Sequence, residues 1–237
     1  MSERLGLRER KKDATRHRLM QAALDLFEER GFDEVSVAEI ADAAEVSKKT
    51  VFNYFDAKED LILGHAKFQI EVPAQLVRER PPGQTPHDAL RQQWFERLAE
   101  HHPVTGLSDN PGVLRVIRLI HSTPQLMQRQ MRYGYQSQQL LSQELFAESG
   151  SELSARLMAS QIFGVRQELA VANFRGITAG ATAAERYPEA VKEAELGFDL
   201  LENGLGNLLR REELYQRIPG YQPCGLTLDI GPLAVVM

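Results

Sequence analysis

The segment from Ser36 to Phe55 constrains this chain more than any other. Ser36-Val37-Ala38-Glu39 has the pattern of a helix start, and Val37, Ile40, Ala41 and Ala44 follow at helical spacing. Glu45-Val46 predicts a tight turn. Ser47 then opens a second short helix, Lys48-Lys49-Thr50-Val51-Phe52-Asn53-Tyr54-Phe55, basic where it begins and aromatic where it ends. Two short helices across a turn of this length form a helix-turn-helix, which brings a basic helix end to a DNA major groove. Val51 and Phe55 are four apart and face inward, so Lys48, Lys49, Phe52 and Asn53 face outward. An outward phenylalanine beside two lysines fits contact with a thymine methyl while the lysines meet phosphates or guanine edges. Asn53 can read adenine or bond a phosphate, and the Ser47 and Thr50 hydroxyls sit where helix N–H groups favour a phosphate. The two-helix pattern alone fits equally a small helical subdomain with a solvated basic edge.

The rest of the chain is also helical in pattern. Residues 1 to 13 read as a mobile basic arm. Asp13 or Thr15 can cap a helix carrying Leu19, Ala22, Ala23, Leu26 and Phe27, and Gly31 suits its left-handed end. Capping boxes are expected at Ser36/Glu39, Asp56/Glu59 and Thr182/Glu185. A helix from Lys58 runs through Leu61, Ile62, His65 and Phe68 until Pro73 bends or ends it, and 80–86 is a loop. Further helices are expected over 87–101, 112–121, 124–148, 152–177 and 184–211. Only Leu226 to Ile230 alternates like a strand, and the Pro- and Gly-rich tail after Ile218 has no assigned role. The expected fold is all-α: an N-terminal three-helix helix-turn-helix domain with its basic arm (1–60), a C-terminal helical ligand-binding and dimerisation domain (61–215), and a non-helical tail (216–237).

At 237 residues the chain can bury a sizeable core, and no apolar run is long enough for a membrane span. The charged N-terminus lacks the apolar stretch of a secretory signal, and Cys224 is the only cysteine. These features predict a cytoplasmic protein with no metal site and no cofactor. Net charge is −5, against a protein that coats nucleic acid indiscriminately. The positive charge is local, in Arg4, Arg8, Arg10, Lys11, Lys12, Arg16 and Arg18, and again at Lys48 and Lys49.

Residues 15 to 61 resemble the DNA-binding domain of the TetR family of bacterial transcriptional regulators. The resemblance rests on Thr15, Leu19, Ala22, Leu26-Phe27, Gly31-Phe32, Ser36-Val37, Ile40-Ala41, Ala44, Val46-Ser47, Thr50-Val51, Tyr54-Phe55 and Lys58-Glu59-Leu61. It implies that Thr15, Ser36 and Val37 meet the DNA backbone. Ser47, Lys48, Lys49, Thr50, Phe52 and Asn53 would enter the groove, and Tyr54 and Lys58 would touch phosphate. The chain departs from the family pattern in three places. Glu45 stands where glycine is usual, Lys49 replaces a common glycine or proline, and Phe52 replaces a common tyrosine.

A DNA reader of this size gains affinity and specificity from two half-sites, so a homodimer on an inverted-repeat operator is expected. Helices 152–177 and 184–211 are the candidate dimer surface, as the last two helices are in the TetR family. They carry the small residues Ala155, Ala159, Gly164, Ala170, Gly197 and Gly204 among large apolar ones; the alternative for this pattern is an intramolecular core. The family also places an inducer pocket in the C-terminal domain. Arg115, Arg118 and His121 recur every three residues on an otherwise apolar helix. That stripe fits a cavity for an anionic effector with an apolar tail, and equally a solvent edge or a set of acid partners. The order Arg-Val-Ile-Arg-Leu-Ile, then Thr123-Pro124-Gln-Leu126, resembles members thought to bind acyl-CoA-like ligands. Further candidate lining residues are Trp94, Met127, Met131, Tyr135, Phe163, Arg166, Asn173 and Phe174, a set that also fits plain core.

The function expected is a repressor released from DNA by a small-molecule effector. The alternative is a DNA-binding regulator without an effector, controlled by abundance or by a protein partner. Catalysis has no support in sequence. The vicinal pair His101-His102 cannot converge on a helix, and no nucleophile elbow, phosphate loop or metal-spaced set is present.

Overall fold

The computed structural model describes residues 6–204, and these contain ten α-helices, one 3-10 turn and no strand. The helices are α1 (Leu7–Arg30), α2 (Val37–Ala43), α3 (Lys48–Tyr54), α4 (Asp60–Phe68), α5 (Val72–Glu79), α6 (Pro86–Ala99), α7 (Pro111–Ser122), α8 (Pro124–Ser149), α9 (Glu152–Thr178) and α10 (Ala183–Asn203). The described residues up to Glu202 form one compact unit. The expected helix end at 205–211, the tail 216–237 with Cys224, and the strand-like Leu226 to Ile230 lie outside the described residues. No described helix is long and apolar enough to cross a membrane, and no described cluster of His, Cys, Asp and Glu could hold a metal ion.

Helix starts follow the side-chain chemistry. Ser36 and Glu39 bond reciprocally, Ser36 N donating to Glu39 Oε2 at 2.8 Å and Glu39 N to Ser36 Oγ at 3.3 Å. Thr182 and Glu185 do the same at the start of α10. Four expectations change. The basic arm is helical from Leu7: no glycine or proline interrupts 7–30, the Arg, Lys and Leu there favour helix, and Glu9 Oε2 accepts from Gly6 N. Thr15 therefore caps nothing; its hydroxyl donates to the Lys11 carbonyl at 2.9 Å inside α1. Pro73 opens a helix rather than ending one. The chain tightens at 69–71, and Pro73 sits in the first turn of α5, where its missing N–H has no helical partner to lose. Asp56 does not cap α4. It turns to the ammonium of Lys67, which holds its carboxyl below the usual range.

The first core cluster joins Leu19, Phe27, Ile40, Val51 and Phe55 of the N-terminal helices to Leu61 and Leu63 of α4. It continues into Leu119 and Ile120 of α7 and Leu126 and Tyr133 of α8. A second cluster centres on Trp94, Leu98, Leu107, Leu169 and Phe198, and a third on Val77, Leu90, Leu141, Ala155 and Ala159. Ala155 and Ala159 thus serve the subunit's own core. Gly197 also faces inward, since a Cβ there would lie 2.8 Å from Val165 Cγ1. Among the small residues expected at the dimer surface, Gly164 has open space above it.

Polar contacts fix the N-terminal helices to the rest. Gln125 Nε2 of α8 donates to both Asp33 carboxylate oxygens at 3.1 Å. On α7, Arg115 Nη2 reaches Asp25 Oδ1 and Glu28 Oε2 of α1, each at 2.6 Å. On the other flank, buried Asp60 of α4 accepts from the Tyr133 hydroxyl of α8, from Arg129 Nη2 at 3.3 Å and from Lys67 Nζ at 3.3 Å.

Candidate nucleic-acid interface

The turn and caps between α2 and α3 build the exposed surface. Glu45 adopts φ 55°, the left-handed conformation that glycine takes without strain, so its Cβ is accommodated at a local cost. Ser47 then caps α3. Its Oγ accepts from Thr50 N at 3.1 Å and lies 2.8 Å from the Thr50 hydroxyl. Val51 and Phe55 are buried, which anchors α3 to α1 and α4. The opposite side presents Lys48, Lys49, Phe52 and Asn53 to solvent, with Phe52 48% exposed. Neither lysine is in an ion pair with a described residue, so both ammonium groups are available to a polyanion. Ser36 is exposed and Val37 half-buried at the start of α2, on the same module.

Electrostatics sharpen this surface. Glu39 is the acid nearest the start of α2. Bonds from the backbone and side chain of Ser36, and then Arg30 at 2.8 Å, hold its carboxyl at about 2. The acid is thereby tied into the cap. Arg10, Lys11, Lys12 and Arg18 are exposed on α1.

Two expected DNA contacts are placed otherwise. The Lys58 ammonium turns inward, donates to the Phe32 carbonyl, and lies 4.3 Å from the Phe32 ring centroid and 5.3 Å from that of Phe27. Burial lowers its pKa, against the pull of Asp33 and other acids. Lys58 therefore braces the module. Thr15, half-buried with its hydroxyl bonded to Lys11, is likewise occupied within α1. Tyr54 is half-buried beside Phe55, their ring centroids 6.5 Å apart.

The candidate effector residues do not converge as one set; Trp94 and Arg166 meet directly, as do His121 and Phe174. Arg115 is spent on Asp25 and Glu28, whose bonds raise its pKa; the cationic stripe is split, since Arg118 and His121 are exposed. His121 packs its ring 5.4 Å from Phe174. Met127 packs on the first core cluster, and Phe163 on the third. Met131 and Tyr135 are exposed on α8. Tyr135 lines an open cleft of about 850 Å³ with Arg16, Phe68 and Gln139, between α1, α4, α5 and α8. Arg16 stacks there on Phe68 at 4.9 Å and Phe55 at 5.5 Å. Trp94 of α6 and Arg166 of α9 face each other, while buried Asn173 of α9 faces the 3-10 turn Pro103–Thr105. Sequence reasoning missed Asp60, Arg129 and Tyr133 as a group, because they meet across 69 and 73 residues of chain. His101 and His102 diverge: the first stacks on Tyr187, and the second accepts from Val104 N at 3.2 Å through Nδ1.

The comparisons with known proteins agree with this geometry. Residues 19–64 match the family model described as bacterial regulatory proteins, tetR family. The HTH-type transcriptional regulator TcmR of Streptomyces glaucescens is 30% identical over 150 residues, covering 62% of this chain and 66% of the relative. The HTH-type transcriptional regulator LuxR of Vibrio harveyi is 47% identical over 47 residues, covering 20% of this chain and 23% of the relative. The chain thus spans just under two thirds of the length of TcmR. Native NalD, the secondary repressor of the MexAB-OprM multidrug efflux pump in Pseudomonas aeruginosa, shares the fold. It is 19% identical, with a TM-score of 0.51 over 79% of this chain and 96% of that one. With the capped helix pair, the exposed α3 face and the match over 19–64 taken together, the chain carries the DNA-binding domain of the TetR family of bacterial transcriptional regulators.

Proposed function

We propose that this chain is a DNA-binding repressor that works in the cytoplasm as a homodimer on an inverted-repeat operator and is released by a small-molecule effector. The observation that carries the reading is the α3 face: Lys48, Lys49, Phe52 and Asn53 stand exposed on a buried Val51–Phe55 anchor, inside the segment that matches the family. Ser47 and Thr50 border it, with Ser36 and Val37 of α2 and Tyr54 at its edges. Phosphate contacts set register, and the outward side chains of α3 read base edges.

Dimerisation is supported by apolar side chains left exposed on the last two described helices, Leu153, Leu157 and Met158 of α9 and Leu196 of α10. A twofold pair would present two α3 helices to successive major grooves. Release by an effector is supported by contacts that tie the reading helices to the C-terminal helices, among them Arg115 with Asp25 and Glu28, and Asp60 with Tyr133 and Arg129. A ligand that prefers a packing with these contacts rearranged shifts the population away from the DNA-bound form.

Selection of bound sequences from random duplex DNA tests the reading. It should return two inverted half-sites. A protein that retained no duplex at low ionic strength would sink it.

A further inference from the structure

Between α6 and α9 the subunit holds a cation that no described acid neutralises. Arg166 of α9 lies across the indole of Trp94 of α6, its guanidinium carbon 5.4 Å from the ring centroid. Nη2 reaches Gln93 Oε1 only at a long 3.4 Å. Nη1 is closed off from solvent and has no partner. The indole N–H of Trp94, a side chain 1% exposed, also lacks an acceptor. Two turns along α9, Asn173 donates to the Thr105 carbonyl at 2.9 Å but leaves its own Oδ1 unpartnered.

Four other partly buried arginines end on carboxylates: Arg80 on Glu148, Arg115 on Glu28, Arg129 on Asp60 and Arg186 on Glu193. Arg166 forms no ion pair with any described acid, and burial without a counter-charge brings its pKa down to about 10. Buried donors left unmade cost free energy, and a buried charge costs more. The group that relieves both must accept hydrogen bonds and carry negative charge. Its surroundings are apolar, with Leu98, Leu169 and Phe198 in the same cluster as Trp94.

We propose that Arg166, Trp94 and Gln93 form the head-group site of the effector, and that it receives the carboxylate or phosphate of a ligand whose remainder is apolar. This rests on the reading of the chain as a ligand-responsive regulator. The anion accepts from Arg166 Nη1 and Trp94 Nε1, and these bonds are strong because both donor atoms are closed off from solvent.

Trp94 is the chain's only tryptophan, so its emission reports on the site directly. The full-length protein is titrated with octanoate, octyl phosphate and, as the uncharged control, octanol. At least one anion should shift Trp94 emission saturably and raise the melting temperature, while octanol does neither; which anion responds identifies the head group. Arg166→Met should weaken that response about tenfold or more, and its ligand-free melting temperature should stay level or rise, because an uncompensated charge has gone. Two results overturn the site: no anion perturbs Trp94 in protein that still shifts its selected duplex, or Arg166→Met melts early and dissociates, which makes the guanidinium a subunit contact. Unliganded protein that bound no duplex would count against the regulator reading, whereas the emission titration judges the site by itself.

Discussion

Lys48 is exposed, free of ion pairs among the described residues, and mounted one turn from a buried anchor. A lysine so placed contributes to DNA affinity by displacing condensed counterions. Lys48→Ala should weaken binding to all sequences and reduce the slope of log affinity against log salt by about one, measured by gel shift over a range of salt. Glu39 makes a different prediction. Folding holds its carboxyl at about 2 against an ordinary 4.5, through bonds from Ser36 and Arg30. A carboxylate depressed by folding adds stability that is complete above pH 4.5 and drains away as the pH falls from there toward 2. Thermal melts across that window should flatten in Glu39→Gln, and an unchanged acid profile would show that the cap carries no such linkage. Lys58 shows where reading by resemblance stops. Its position in the pattern suggests a phosphate contact, but the neighbouring Phe27 and Phe32 rings and the Phe32 carbonyl form a better-fitting seat inside the module.

Secondary structure was largely legible because these helices advertise their ends. Ser36/Glu39, Thr182/Glu185 and Thr123 before Pro124 all stand at observed boundaries. Less visible was whether a proline stops one helix or starts the next, since both uses share a sequence pattern; at Pro73 only the tightening at 69–71 decides. The extension of α1 down to Leu7 went unread because a basic run looks the same whether coiled or helical. The 3-10 turn Pro103–Thr105 presses its following residue against α9. Gly106 has φ 72°, and a Cβ there would lie 2.0 Å from the Ala170 carbonyl oxygen. Gly106→Ala should lower stability by about 1–3 kcal/mol through backbone displacement alone, read as a fall in the denaturation midpoint.

Long-range pairing was the part the sequence concealed. Arg115 with Asp25 and Glu28, and Asp60 with Tyr133, join residues that no periodicity links. The Arg115 group is about one-third exposed, so solvent screens its ion pairs and they add little to stability. Their effect should lie in orientation instead. Arg115→Ala is expected to change affinity for the selected duplex clearly while barely moving the melting temperature; the reverse pattern would show the clasp to be merely structural. The interior beneath the DNA-reading helices does not close at residue 60. It runs on through Leu61 and Leu63 to Leu119, Ile120, Leu126 and Tyr133. A fragment cut at that point would lose its floor, so the DNA-reading half cannot be transplanted onto another protein as a detachable cassette. Any useful chimera must carry α4 and matching α7–α8 surfaces with it.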